Sequence, residues 1–134
     1  MIFYFDENMP PRLARAIRIL AENEEYSVEL VREKFGPGTA DINWMTQAGQ
    51  EGSGFTISCD RRIHTRPHEK LAFKQNNLVA FLLPKDFTKK KFWEKSAYLV
   101  RWWPEITSAA KTATPGELFC LPAKQSPSPL KASR

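Results

Sequence analysis

Three aspartates carry most of the chemical potential of this chain. Asp6 ends the apolar run MIFYF, Asp60 ends FTISC, and Asp41 opens the helical part of GTADINW. Asp6 is followed at once by Glu7, Asn8, Met9 and two prolines. Carboxylates gathered at one rim repel one another unless a cation lies between them, and an all-oxygen donor set selects a hard cation, Mg2+ or Mn2+. The chemistry such a cation serves is phosphodiester hydrolysis, in which a water is activated and the charge developing on the phosphate oxygens is neutralised. Each acid also has a plainer reading. A strand-end acid can simply face water, and an Asp at a helix start caps free N–H groups for ~1 kcal/mol. If Thr39 does that capping instead, Asp41 falls in the first helical turn and projects towards the strand ends.

The net charge of +5 conceals an uneven distribution. Residues 1–60 carry 5 Lys and Arg against 10 Asp and Glu, whereas residues 61–134 carry 15 against 5. Basic surface attracts polyanions, nucleic acid first among them, with membranes and acidic proteins as other partners. Arg12, Arg61, Arg62, Arg66 and the run Lys89, Lys90 and Lys91 are the candidates for holding a nucleic-acid backbone, although a lysine run is otherwise a solvated helix face. His64 and His68 are four apart, but Pro67 between them disfavours the continuous helix that would make them a zinc pair. Cys59 and Cys120 lie far apart without C-x-x-C spacing, which predicts neither a zinc site nor a disulfide. No run approaches the ~20 apolar residues that span a bilayer. The expectation is a non-secreted protein of a reducing cytoplasm, without a membrane segment.

The elements that must position these acids follow from periodicity. Strands are predicted at 2–5, 26–31, 55–59 and 78–83, with a short final one within 116–121, and REKFGPGT is predicted to be a loop. Helices are predicted over 10–22, with Leu13, Ala16, Ile17, Leu20 and Ala21 as the apolar stripe, over 40–50, from about Pro67 with Leu71 and Phe73, and over 88–103. In the last, Phe92, Trp93, Ala97, Val100 and Trp103 are expected inward, as core rather than as a base-stacking surface. The neighbours Trp102 and Trp103 are not expected to point inward together, and the outward one would mark a homodimer or partner surface. Alternating strands and helices predict the α/β class: one α/β/α sandwich over residues 1–121 with a mostly parallel sheet of four or five strands. The Pro/Ser-rich basic tail, 122–134, is expected to be disordered. In such sheets ligands sit beyond the carboxyl ends of the strands where strand order reverses, so Asp6 and Asp60 belong at that rim.

FYFDENMPPRLARAI, GTADINWMTQA, FTISCDRRI, PHEKLAF and NNLVAFLLP together resemble the PIN-like families related to toxin ribonucleases, in particular the small domains that open with a D-E-N-L-P motif. The similarity covers roughly residues 1–84. It implies an α/β/α sandwich and a metal-dependent ribonuclease, often the toxin half of a toxin–antitoxin pair, with RNA as substrate and an antitoxin as protein partner. Carried over by position, Asp6, Asp41 and Asp60 match the catalytic and metal-binding acids, Glu7 is an accessory acid and Asn8 holds the turn. Ser58 stands where Thr is usual and keeps the hydroxyl, to orient a carboxylate or a water. Arg61 and Arg62 stand where related sequences often have a further acid. That removes a ligand for a second metal, which Glu69 would have to replace from the following helix.

Two other readings compete. A PIN-like domain that has lost catalysis would bind RNA or protein without cleaving it, and the missing acid near Arg62 supports that. A phosphoacceptor receiver domain would also place acids after its first and third strands, but the step from Asp60 to Lys85 is too short for its usual arrangement.

Overall fold

Alternation along the first strand decides the layers. In β1 (Ile2–Phe5) Phe3 and Phe5 enter one core and Tyr4 enters another, because successive strand side chains leave on opposite faces. The computed structural model describes residues 1–133 and shows the same division in the neighbouring strands. Phe55 and Ile57 of β3 (Gly54–Ser58) join the first core, as do Val79 and Phe81 of β4 (Val79–Leu82), while Ala80 joins the second. A sheet buried on both faces needs helices on both. α1 (Pro11–Leu20) and α5 (Phe92–Thr112) cover the first face, and α2 (Val31–Phe35), α3 (Asp41–Gln50) and α4 (Pro67–Gln75) cover the second. This is the expected α/β/α sandwich.

All five strands are parallel. With β2 (Ser27–Leu30) and β5 (Leu118–Cys120) at the edges, the order is β2-β1-β3-β4-β5. The chain leaves β1 towards β2 and then returns to lay β3 on the opposite side of β1. That reversal opens a crevice beyond the carboxyl ends of β1 and β3.

Several expectations are corrected. The predicted loop after β2 begins with the helical turn α2, whose Val31 is buried on the second core, and the chain turns out of it at Gly36, with φ of 98°. In α1 the buried stripe is Leu13, Ala14, Ile17 and Ala21. Ala16 and Leu20 are exposed, and so is Leu71 in α4. The last long helix starts at Phe92, after a 3-10 turn at Lys85–Lys89, and continues nine residues past Trp103. It tolerates Pro104 because that residue and Val100, whose carbonyl loses a helical donor, are both exposed, so water can serve the carbonyl.

The inward stripe of α5 is Leu99, Trp102, Trp103, Ile106 and Ala110. Trp93, Ala97 and Val100 are exposed, contrary to expectation. Both Trp102 and Trp103 are buried in the first core. Trp103 faces β1, 5.1 Å from the ring of Phe3 and 5.8 Å from that of Phe5, and donates its indole N–H to the Tyr26 hydroxyl at 2.8 Å. Trp102 turns the other way, towards Tyr98 at 6.2 Å.

The tail has no helix or strand, as its composition suggests, but it is held to the domain. The Tyr98 hydroxyl donates to the Pro122 carbonyl at 2.6 Å, and Leu130 and Ala132 pack on the first core. The Ser133 N–H donates to the Leu118 carbonyl at 2.7 Å, covering part of the β5 edge. Two apolar side chains and an open strand edge thus give the tail its contacts; Arg134 lies outside the described residues. No helix among the described residues is long and apolar enough to cross a membrane.

Candidate active site

Asp6 makes the last rung between β1 and β3, since its N–H donates to the Ile57 carbonyl at 3.1 Å. Its side chain enters the crevice with only 8% of the residue exposed. One carboxylate oxygen accepts the Glu7 N–H at 2.7 Å and the other accepts the Ser58 hydroxyl at 3.0 Å. Burial pushes this carboxyl up to about 6, the charge of Asp41 adds to the effect, and that of Asp60 adds a smaller part; the Ser58 and Glu7 donors oppose it. Asn8 clips the two strand ends loosely. Its amide nitrogen lies 3.5 Å from the Asp6 carboxylate, and its amide oxygen faces the Cys59 N–H at 3.4 Å.

Asp60 occupies the matching place after β3 but has different company. It caps the 3-10 turn Arg61–His64 by accepting the Arg62 N–H at 2.9 Å, and the Arg62 guanidinium grips both of its oxygens, at 2.9 and 3.0 Å. That hydrogen-bonded guanidinium holds the Asp60 carboxyl below the usual carboxylate range. Ser58 ties the two acids together. Its hydroxyl donates to Asp6 and accepts the Asp60 N–H at 2.9 Å.

Asp41 is the first residue of α3, and neither it nor Thr39 is the cap. The cap position belongs to Ala40, without a side-chain bond, and the Thr39 hydroxyl turns back to the Phe35 and Gly36 carbonyls at 2.7 and 2.8 Å. Asp41 therefore projects from the first turn, and its Oδ1 accepts the indole N–H of Trp44 at 3.0 Å. The loop leading to α3 is pinned from below. Gly38, at φ of 71°, donates its N–H to the Glu7 carboxylate at 2.8 Å.

The result is a cleft of about 200 Å³ lined by Asp6, Glu7, Asn8, Thr39, Asp41, Trp44, Asp60 and Arg62. The three aspartates are thus brought to one place, with Ser58 bridging Asp6 and Asp60. Other expected residues are not on its wall. Glu69 is half-buried beside Arg66, 3.4 Å away, with its second carboxylate oxygen buried and without a hydrogen-bond partner among the described residues. Arg61 points a guanidinium nitrogen at the Leu83 carbonyl, 3.5 Å away, beyond β4. Arg12 lies over the Phe92 ring, Lys90 is 4.0 Å from Asp86, and Lys89 is exposed. His64 is half-buried beside Phe73, and burial pushes its imidazole down to about 4. Trp44 and the grip of Arg62 on Asp60 were missed from sequence; the only hint was the i, i+3 spacing of Asp41 and Trp44.

A family model described as PIN like domain matches residues 1–85, the stretch that carries all three aspartates. The chain belongs to the PIN-like domain family. PIN-like domains have a nuclease-type fold and usually bind Mg2+ or Mn2+. No curated protein and no solved structure matches the chain.

Whether this PIN-like domain suits such a cation is a question of donors. Among the described residues no three His, Cys, Asp or Glu side chains converge as a ready metal group, and Asp60 is taken by Arg62. Mg2+, however, is held through one or two carboxylates together with water and substrate phosphates. Asp6 and Asp41 meet that requirement: both line the cleft, and neither forms an ion pair with a described cationic side chain. The Asp6 carboxyl is raised first by burial and then by the charge of Asp41, and a hard cation in the cleft would offset both. The donor set fits.

Proposed function

We propose that this PIN-like domain is a metal-dependent ribonuclease that hydrolyses phosphodiester bonds of RNA. The observation carrying this reading is that Asp6, Asp41 and Asp60 line one small cleft at the strand-order reversal, with the Asp6 carboxyl pushed up by burial and by its acidic neighbours. Asp6 and Asp41 would hold Mg2+ or Mn2+. Bound there, the cation supplies neutralisation of the charge that develops on the phosphate oxygens and acidifies water.

The chain's own residues do the rest. Ser58 orients the Asp6 carboxylate, and Trp44 orients that of Asp41. Arg62 is exposed at the mouth of the cleft and suits a phosphate oxygen as well as it suits Asp60. Turned to a phosphate, Arg62 would release Asp60, which would then be available as a third acid to hold the cation. Glu7, committed to Gly38, fixes the loop that carries Asp41.

The test is cleavage of mixed cellular RNA in Mn2+ or Mg2+, comparing wild type, Asp6→Asn, Asp60→Asn and an EDTA control. Metal-dependent cleavage lost in both variants is expected. An Asn variant that cleaved at the wild-type rate would sink the assignment. The narrower form of the proposal is a toxin neutralised by an antitoxin protein, for which induced expression should arrest growth in wild type and not in Asp6→Asn.

One observation favours a second reading, a PIN-like domain that binds RNA without cutting it: the guanidinium of Arg62 already neutralises Asp60. That reading predicts equal RNA binding with and without EDTA and no cleavage in any lane.

A further inference from the structure

Trp93 is the most exposed large apolar side chain among the described residues, at 79%. It stands in the first turn of α5, a helix whose other two tryptophans are buried. Phe92 meets its ring edge-to-face at 5.4 Å. Phe92 in turn carries the Arg12 guanidinium 4.1 Å above its ring. Arg12 lies in the first turn of α1, six residues after Asp6. A short chain of contacts therefore runs from the DENMPP turn beside the acidic cleft to Trp93.

The surroundings of Trp93 are mainly cationic, with Glu94 the one acid in the first turn of α5, its carboxylate accepting the Lys91 N–H at 3.3 Å. Lys89 and Lys91 immediately before α5 are exposed, and Lys95 lies 5.8 Å from the Phe87 ring in the first turn. Phe87 lies in the turn that follows β4, so this basic group stands near the carboxyl end of that strand. A flat aromatic face among lysines, beside a cluster of acids, matches a ligand that alternates stacking bases with phosphates.

We infer that Trp93 is a stacking platform for a base of single-stranded RNA, whose backbone is held by Lys89, Lys91 and Arg12 as it approaches the acidic cleft. This rests on the ribonuclease reading and names where its substrate lies outside the reacting phosphate. An apolar protein partner would instead use Ala97 and Val100, which follow Trp93 on the exposed side of α5. The charge around Trp93 favours RNA, and the protein alternative becomes an outcome of the test.

The experiment is fluorescence anisotropy of a labelled oligouridylate of about twelve nucleotides, within the site sizes such platforms cover. It uses the full chain in EDTA, so binding is read without cleavage. Trp93→Ala is expected to weaken binding roughly tenfold, the loss of one stacked base, while Trp93→Phe stays near wild type. The dependence of affinity on salt should be unchanged in Trp93→Ala and shallower in the Lys89→Ala, Lys91→Ala double variant. Because Trp93 is exposed, its replacement leaves the core intact, and an unchanged Tm confirms this.

Unaltered affinity in Trp93→Ala, or no binding by wild type, overturns the inference. So does a change of sedimentation from dimer to monomer with RNA affinity unaltered, which would make the face a protein interface. Failure of the nuclease reading is seen elsewhere, as cleavage that persists in Asp60→Asn, and leaves the binding result to be judged by itself.

Discussion

The carboxyl ends of β1 and β3 are adjacent, parallel and each closed by an aspartate, yet the two acids live in opposite electrostatic states. Asp6 is buried, meets two hydrogen-bond donors and two acidic neighbours, and is pushed up to about 6. Asp60 is seized by Arg62 and held below the ordinary range. The difference lies in the residue that follows each strand end. After Asp6 the chain supplies Glu7 and Asn8, which bring no positive charge; after Asp60 it supplies Arg61 and Arg62. A site built this way keeps uncompensated negative charge at one strand end and a self-neutralised acid at the other. The first is where an outside cation gains most.

The largest effect that would break this comparison is catalytic. Asp6→Asn and Asp60→Asn should each lower RNA cleavage by about 10²-fold or more, the scale on which charge stabilisation acts in phosphate chemistry. Their effects on folding should differ in sign. Asp6→Asn removes a strained ionised group and should stabilise the metal-free protein at neutral pH. Asp60→Asn removes a satisfied one and should destabilise it. Two variants shifting Tm in the same direction would show that the strand ends are electrostatically alike.

The pH dependence follows the same division. A folded pKa raised from 3.8 to about 6 means that between those values the native state holds more of the Asp6 proton than the unfolded chain does. The contribution of Asp6 is therefore present at low pH and lost as pH rises through about 6, amounting to roughly 3 kcal/mol in EDTA. Asp60 runs the other way: its lowered pKa contributes stability above the unfolded value that disappears as pH falls through the folded one. Denaturant melts of wild type and Asp6→Asn from pH 4 to 7 separate the two, because the falling slope should vanish in the variant.

How much of this was legible beforehand depended on whether a feature was local. The three central strands could be read because each is an apolar run buried on both faces, and Asp6 and Asp60 could be placed because they end such runs. The rim position of Asp41 needed only a helix start. What escaped was set by the path of the chain between elements. Arg62 grips Asp60 because the chain turns into a 3-10 helix there, and Glu7 meets Gly38 because the loop after α2 crosses the site. The reading of α5 failed differently. The stripe inferred over 88–103 was offset from the buried one, Leu99, Trp102, Trp103, Ile106 and Ala110, which put Trp93 inside and kept Trp102 and Trp103 from sharing the core. The contacts of the tail rest on few residues, Leu130 and Ala132 on the first core and Ser133 on the β5 edge, which composition alone does not weigh.

Ser58 is the one side chain shared by both strand ends, so changing it tests whether they are coupled. Ser58→Ala leaves Asp6 without its buried hydroxyl donor and the Asp60 N–H without its acceptor. The expected loss is about 1–2 kcal/mol of stability. The Asp6 carboxyl should climb above about 6 because a hydrogen bond to its ionised form is gone, which carboxyl NMR titration would read.

The smallest effect on folding, and the sharpest on the comparison, belongs to Arg62. The guanidinium side of its pair with Asp60 is open to solvent, where an ion pair adds little to stability. Arg62→Gln should therefore leave Tm nearly unchanged while letting the Asp60 carboxyl return towards the ordinary range. If the guanidinium stands where a cation would draw on Asp60, removing it should tighten Mn2+ binding, measured by calorimetry without RNA. The same variant should bind RNA more weakly, since the group that turns to the phosphate is lost. Tighter metal with weaker RNA is a combination that a purely structural ion pair does not produce. Unchanged Mn2+ affinity would mean that Asp60 is committed to Arg62 for the sake of the turn, and the difference between the two strand ends would then be architecture and not function.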